Sequence, residues 1–221
     1  MEMLSELVFG SLLSYCPTST SEGGLIAKSV MRAIKNESSV HHSQLGELFA
    51  SEFVAKRLKI EASRMDLFTD FFGEDVVLVP VPRSSPIRKG TLWPSLQISK
   101  AMEQEGLGTV RPALKRVKCI QRSSTSPSIW RPRPTDHYNS MEVEKFKLPS
   151  LNLLLVDDII TRGHTFMGAA WRLQRIFPDV KIKAFAAMRT VSNETEFRGL
   201  IDPVIGRVTY RSQYNDCLRR P

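Results

Sequence analysis

The residues of this sequence best suited to chemistry are two adjacent carboxylates followed by hydroxyls and a glycine. They lie in Leu153-Leu154-Leu155-Val156-Asp157-Asp158-Ile159-Ile160-Thr161-Arg162-Gly163-His164-Thr165, an apolar run that emerges into two acids and a small polar loop. Paired acids at the carboxyl end of a strand can accept hydrogen bonds from vicinal sugar hydroxyls or approach a hydrated Mg²⁺. Thr161 and Thr165 supply hydroxyl donors, and Gly163 lets the backbone come close. The N–H groups that open the following helix point at an anion with the helix dipole behind them. One continuous segment could thus read a sugar and its phosphate. The same residues also suit a plainer role, in which Asp158 and Thr161 cap the helix and Gly163 makes a tight turn.

A second concentration of chemistry is electrostatic. The chain holds 31 Lys and Arg against 23 Asp and Glu, a net charge of +8. Residues 106–135 contain Arg111, Lys115, Arg116, Lys118, Arg122, Arg131 and Arg133 and no acid; without these seven, 24 basic side chains face 23 acidic ones. The positive field is therefore local and draws an anion to one place. It suits a polyphosphorylated small molecule, or a nucleic acid along a stripe, and a solvated basic loop would have the same composition. Four prolines and the run Ser123-Ser124-Thr125-Ser126-Pro127-Ser128 make this stretch a long mobile loop, of the length that usually marks a lid or a linker. Histidine carries no expected metal site: His41-His42 has no cysteine partner, and the His164 side chain is expected to face solvent. Trp171 belongs to a core pattern, while Trp93 and Trp130, both in loops, could stack on a base.

Elements must position these groups. After the short apolar stretch Leu4 to Leu13, Ser21 is placed as an N-cap for a helix to about Lys35, and Leu45, Leu48, Phe49 and Phe53 continue helical spacing between His42 and Lys59. Two helices are thus expected before the first convincing strand. That strand is Asp75 to Pro82, a β-branched run of the kind buried on both faces. A helix from Pro94 to Glu105 follows, and after the loop come a strand at 151–156, a helix at 165–177 and a strand at 180–188, a βαβ unit. The fold class expected is α/β, a parallel sheet flanked by helices. With 42% hydrophobic and 24% charged residues among 221, the chain can bury a core, which excludes collagen, coiled-coil and disordered classes. No apolar run reaches the ~20 residues of a membrane span, and Glu2 and Glu6 stand where a secretory leader carries basic residues, so a soluble cytoplasmic protein without membrane contact is expected. Cys16, Cys119 and Cys217 form no C-x-x-C pair and suit neither a zinc ribbon nor a disulfide scaffold.

The strand followed by Asp157-Asp158-x-x-Thr161-x-Gly163-x-Thr165 resembles the phosphoribosyl pyrophosphate motif of the type I phosphoribosyltransferases. The stretches Leu12-Leu13-Ser14-Tyr15-Cys16-Pro17, Ile34-Lys35, Val79-Pro80-Val81-Pro82 and Leu114-Lys115-Arg116 look like the ComF-like branch in the same order. Arg162 stands where many members have Thr, Thr91-Leu92-Trp93 replaces an aromatic-Asn-Gln stretch, and the zinc-ribbon cysteines are absent. The resemblance implies a single phosphoribosyltransferase-like domain over 1–221. Residues 1–74 would be a helical N-terminal or hood region and 75–221 an α/β core with the flexible loop 106–135. It implies that Asp157 and Asp158 hold the ribose hydroxyls and Mg²⁺, and that Thr161, Arg162, Gly163, His164 and Thr165 cradle the 5′-phosphate. Pro82 with Arg83, Ser84 and Ser85 would form the pyrophosphate loop. Lys115 and Arg116, with Arg122, would meet pyrophosphate, so that Asp157, Asp158, Lys115 and Arg116 form the implied catalytic set. The N-terminal helices and Asp136 to Leu148 would build the hood, and the 106–135 loop would close over the ligand. The implied reaction moves phosphoribose to a nitrogen base through a cation-like C1′, with no covalent nucleophile, in a protein that admits a homodimer. The rival reading is a ligand-sensing or nucleic-acid-binding protein on the same fold, serving DNA uptake or regulation through the 106–135 stripe.

Overall fold

Strands that are apolar on both faces need a helical layer on each side, and the chain supplies two. The computed structural model describes residues 3–64, 66–121, 131–144, 148 and 150–221. In chain order the elements are β1 (Glu6–Tyr15), α1 (Glu22–Asn36), β2 (Ser39–His42), β3 (Gly46–Phe49), α2 (Ala50–Arg64), β4 (Val76–Pro80), α3 (Pro94–Gln104), β5 (Thr109–Val110), β6 (Leu114–Arg116), α4 (Pro134–Asn139), β7 (Met141–Val143), β8 (Asn152–Ile160), α5 (His164–Ile176), β9 (Lys181–Thr190), β10 (Ile201–Arg211) and β11 (Asp216–Arg220). The main sheet has the order β11-β10-β1-β9-β8-β4-β5. The run from β1 to β5 is parallel throughout, and β10 and β11 extend it as an antiparallel hairpin beyond β1. The fold is therefore mixed α/β with a mostly parallel central sheet flanked by helices, the class expected from the sequence.

Strand alternation sorts the core into two halves. Leu154 and Val156 of β8 and Leu78 of β4 pack with α1, α2 and α3 through Ile34, Phe53, Leu58 and Ile98. Leu153 and Leu155, with Val77 and Val79, pack on the other face against Phe166, Ala170 and Trp171 of α5 and Met141 of β7. Ser21 caps α1 by accepting from the Gly24 N–H, as its position in the sequence suggests, and Pro94 opens α3. Among the described residues, no helix is long and apolar enough to cross a membrane.

Four expectations change. A full strand, β1, precedes the helices and sits inside the sheet between β10 and β9. The helical spacing from His42 covers a β2–β3 hairpin before α2 begins at Ala50. The stretch 106–121 is not a loop throughout: β5 joins the main sheet and β6 pairs with β7. The N-terminal helices and the described residues 136–144 do not join as one hood, because α1 and α2 feed the core on one face of the sheet while Met141 and Val143 feed the other. Arg122, Trp130 and the Ser/Pro run expected to form a mobile lid lie outside the described residues.

Candidate functional site

The carboxyl ends of β1, β4, β8 and β9 open into one cleft of about 770 Å³. Tyr15 closes β1, Val81 to Ser84 follow β4, Asp157 to Thr165 end β8 and enter α5, and Thr190 ends β9, and all of these residues line the cleft. This is where a parallel α/β sheet binds ligands, because the strand ends and helix N-termini converge there. The two acids still lie within β8, which runs on to Ile160, so alternation turns Asp157 toward the α5 face and Asp158 toward the α1 face. Asp157 accepts a hydrogen bond from the Asp158 N–H at 2.9 Å and Asp158 one from the Ile159 N–H at 2.8 Å. Thr161 shares a 3.0 Å hydroxyl contact with Thr190, which ties the loop to β9. Gly163 is the N-cap of α5 at φ +85°, and a Cβ there would come within 2.6 Å of Val208 in β10. The glycine is needed for its backbone angle and for the packing of β10 beneath the loop.

The loop after β4 is held by its carbonyls. Val81 O accepts from Trp93 Nε1 at 2.8 Å and Ser95 Oγ at 2.5 Å, Pro82 O and Arg83 O accept from the Arg116 guanidinium at 3.2 and 2.7 Å, and Ser84 O accepts from the Ile120 N–H at 2.9 Å. A trans peptide whose carbonyl is held one way presents its N–H the other way, so the held carbonyls of Pro82, Arg83 and Ser84 set the N–H groups of Arg83, Ser84 and Ser85 in fixed directions, while Pro82 itself has none. Arg116 is 2% exposed and also donates to Ser140 Oγ at 2.5 Å. Burial lowers its pKa to about 10, against the raising influence of Asp157. It is a strut of the cleft wall. The Arg83 guanidinium donates to Leu92 O. Lys115 alternates to the exposed face of β6, and neither it nor Ser85 is among the residues lining the cleft. Trp93, considered as a base-stacking ring, spends its N–H on the Val81 carbonyl.

His164 differs most from its expectation. Its side chain is buried rather than solvent-facing: Nδ1 lies 2.9 Å from Pro132 O and Nε2 2.8 Å from Asp216 Oδ1. Nε2 also accepts the Cys217 N–H at 3.2 Å, so a neutral ring with its proton on Nδ1, donated to Pro132 O, is accommodated, and burial pulls the pKa below its ordinary value despite Pro132 and Asp216. Asp216 is a residue the sequence reading missed. It also meets Arg133 at 3.1 Å, Arg162 at 3.7 Å and Arg211. Burial raises its carboxyl pKa, but hydrogen bonds from Arg211 and His164 and the surrounding charge hold it below the usual value. A signal was present: Asp216 is the one acid between Pro203 and Pro221, among Arg207, Arg211, Arg219 and Arg220.

The basic segment is divided by the structure. Arg116 is internal and Arg133 is paired with Asp216, while Lys115 and Lys118 are exposed and Arg131 lines the cleft. In contrast, Asp157 lies in an uncompensated acidic corner. Burial and then the Asp158 charge raise its pKa well above the usual carboxylate range, and Arg116 only partly offsets them. A divalent cation would relieve that pair. Among the described residues no group of three or more His, Cys, Asp or Glu could hold a metal. Two carboxylates suit Mg²⁺ that brings its remaining oxygen ligands as water and substrate phosphate.

No protein-family model matches the chain, and no curated protein matches it. Among solved structures, the hypoxanthine phosphoribosyltransferase of Staphylococcus aureus is similar over 69% of this chain and 86% of its own, at 11% identity and a TM-score of 0.36. A ternary substrates complex of the hypoxanthine phosphoribosyltransferase of Trypanosoma cruzi is similar over 81% of this chain and 91% of its own, at 13% identity and a TM-score of 0.34. The chemistry of the site rests on this chain's own residues.

Proposed function

We propose that the cleft binds phosphoribosyl pyrophosphate with Mg²⁺ and that the protein transfers its phosphoribosyl group to a nitrogen base. The observation that carries this reading is the convergence of Asp157-Asp158, the Thr161 to Thr165 loop and the Pro82 to Ser84 loop on one cleft at the sheet's carboxyl edge. In this reading Asp157 and Asp158 accept hydrogen bonds from the ribose hydroxyls. The N–H groups that open α5, with the Thr161 and Thr165 hydroxyls, hold the 5′-phosphate. The amides of the loop after β4 receive pyrophosphate, and Arg116 acts as a positioning residue that keeps their carbonyls turned back. Mg²⁺, when bound with the ligand, would neutralise charge on the departing pyrophosphate. The C1′–oxygen bond breaks with its electron pair leaving on pyrophosphate, and a ring nitrogen of the base forms the new bond at C1′ as its N–H proton passes to water. The protein's part is positioning and charge stabilisation, without a covalent nucleophile.

The test is a coupled assay for pyrophosphate release with Mg²⁺, phosphoribosyl pyrophosphate and, in turn, adenine, guanine, hypoxanthine, uracil and orotate. Base-dependent release with at least one acceptor is expected, and its loss in Asp157→Asn/Asp158→Asn ties it to this cleft. Equal release with and without every base would contradict transfer.

A further inference from the structure

His137 is the buried titratable group of the cleft that the proposed mechanism leaves unused. It projects from α4 against α5 at Gly168, where an added Cβ would lie 2.6 Å from the His137 Cβ. The residue is 4% exposed and lines the cleft, and neither Nδ1 nor Nε2 has a hydrogen-bond partner among the described residues. An imidazole costs free energy when it is buried with both nitrogens unpaired, so a group meant only to fill space would be better replaced by an apolar ring. His137 lines the same cleft as Arg116, which grips the carbonyls of Pro82 and Arg83, and as His164, which belongs to the loop that opens α5.

Resting on the reading of the cleft as a phosphoribosyl pyrophosphate site, we propose that His137 is a ligand-binding residue whose ring, with both nitrogens enclosed in this structure, turns on binding so that its N–H donates to a phosphoryl oxygen held between the 82–84 loop and the 161–165 loop. The ring suits that task because burial, with Arg116 and His164, lowers its pKa to about 3. A neutral imidazole keeps one N–H donor and one acceptor. The donor therefore serves the anion without adding a buried charge next to Arg116. Sequence spacing gave no hint of this, since His137 stands alone in Thr135-Asp136-His137-Tyr138.

The phosphoryl oxygen can belong to the 5′-phosphate or to pyrophosphate, and two probes separate them. The full chain, labelled with ¹⁵N at histidine, is titrated with ribose 5-phosphate and separately with magnesium pyrophosphate. The His137 resonances, assigned by their loss in His137→Phe, should move with one probe and settle into a single tautomer. The affinity of His137→Phe for that probe should fall about ten- to a hundred-fold, the worth of a hydrogen bond to a charged group, and that of His137→Gln, which keeps an N–H, by less. Movement with ribose 5-phosphate assigns the 5′-phosphate; movement with magnesium pyrophosphate assigns the leaving group. If the parent binds both probes and His137 stays unmoved, this inference falls while the reading of the cleft stands. If the parent binds neither, both fall together.

Discussion

At Asp157 the binding proposed for the cleft sets a cost in stability. Its raised pKa means that, above the ordinary carboxylate value of 3.8, the folded state keeps a proton the unfolded chain has already lost. Stability therefore falls as pH climbs from that value through the raised one, because the folded state binds more protons there. Asp157→Asn removes the penalty. The variant is expected to melt above the parent at neutral pH and to converge with it toward pH 4, while losing roughly 2–5 kcal/mol of ligand affinity because a charged hydrogen-bonding partner has been truncated. Calorimetric melts across pH, with and without phosphoribosyl pyrophosphate, check both parts. A variant that melts below the parent at pH 7 would show that the carboxylate is structurally satisfied, and the acidic corner would lose its meaning.

At the scale of elements, the legible parts were those whose signal is contiguous. The strands at β4 and β8 follow from the apolar runs Val76 to Val79 and Leu153 to Val156, β9 from Ala184 to Met188 after two lysines, and the acids with the loop that follows them from thirteen adjacent residues, Leu153 to Thr165. β1 was not legible because Gly10, Ser11 and Ser14 interrupt it. Gly10 is where the Phe68 and Phe71 rings lie against the strand, 2.9 and 3.2 Å from an added Cβ, and the two serines are fully buried. The β2–β3 hairpin hid because Leu45, Leu48 and Phe49 happen to repeat at helical intervals. Gly163 belongs to this scale too, since its role joins α5 to β10. Gly163→Ala should destabilise the protein by about 1–3 kcal/mol through overpacking on Val208 and the positive φ, and Val208→Ala in the same chain should recover part of that loss. Chemical denaturation of the two single variants and the double variant measures the coupling. Strict additivity would mean that the Val208 contact does not matter.

Across the whole molecule, Asp216 joins parts far apart in the chain. It lies 52 residues from His164 and 83 from Arg133, and by holding both it fastens the C-terminal hairpin to the start of α5 and to the entry of α4. The lone acid among arginines is the local trace of these contacts, but the partners lie far along the chain, so the sequence shows the 161–165 loop and not what anchors it. Its partners Arg133, Arg162 and Arg211 are 35%, 44% and 41% exposed, so the cost of Asp216→Asn should fall between that of a surface pair and that of a buried one, about 2 kcal/mol. That corresponds to a Tm lower by roughly 4–8 °C in a chain of this length. Because the Asp216 pKa is depressed, the parent should lose this advantage as pH falls through that depressed value, and the two melting curves should meet in acid. A difference in Tm that persists unchanged in acid would show that the carboxylate's charge is not its source. The central claim concerns the cleft itself, and isothermal calorimetry of the full chain with phosphoribosyl pyrophosphate and Mg²⁺ tests it most directly. One-site binding is expected in the parent, with none detectable in Asp157→Asn/Asp158→Asn at an unchanged far-ultraviolet circular dichroism spectrum. No binding heat in the parent at several temperatures, or equal affinity in the double variant, would contradict it.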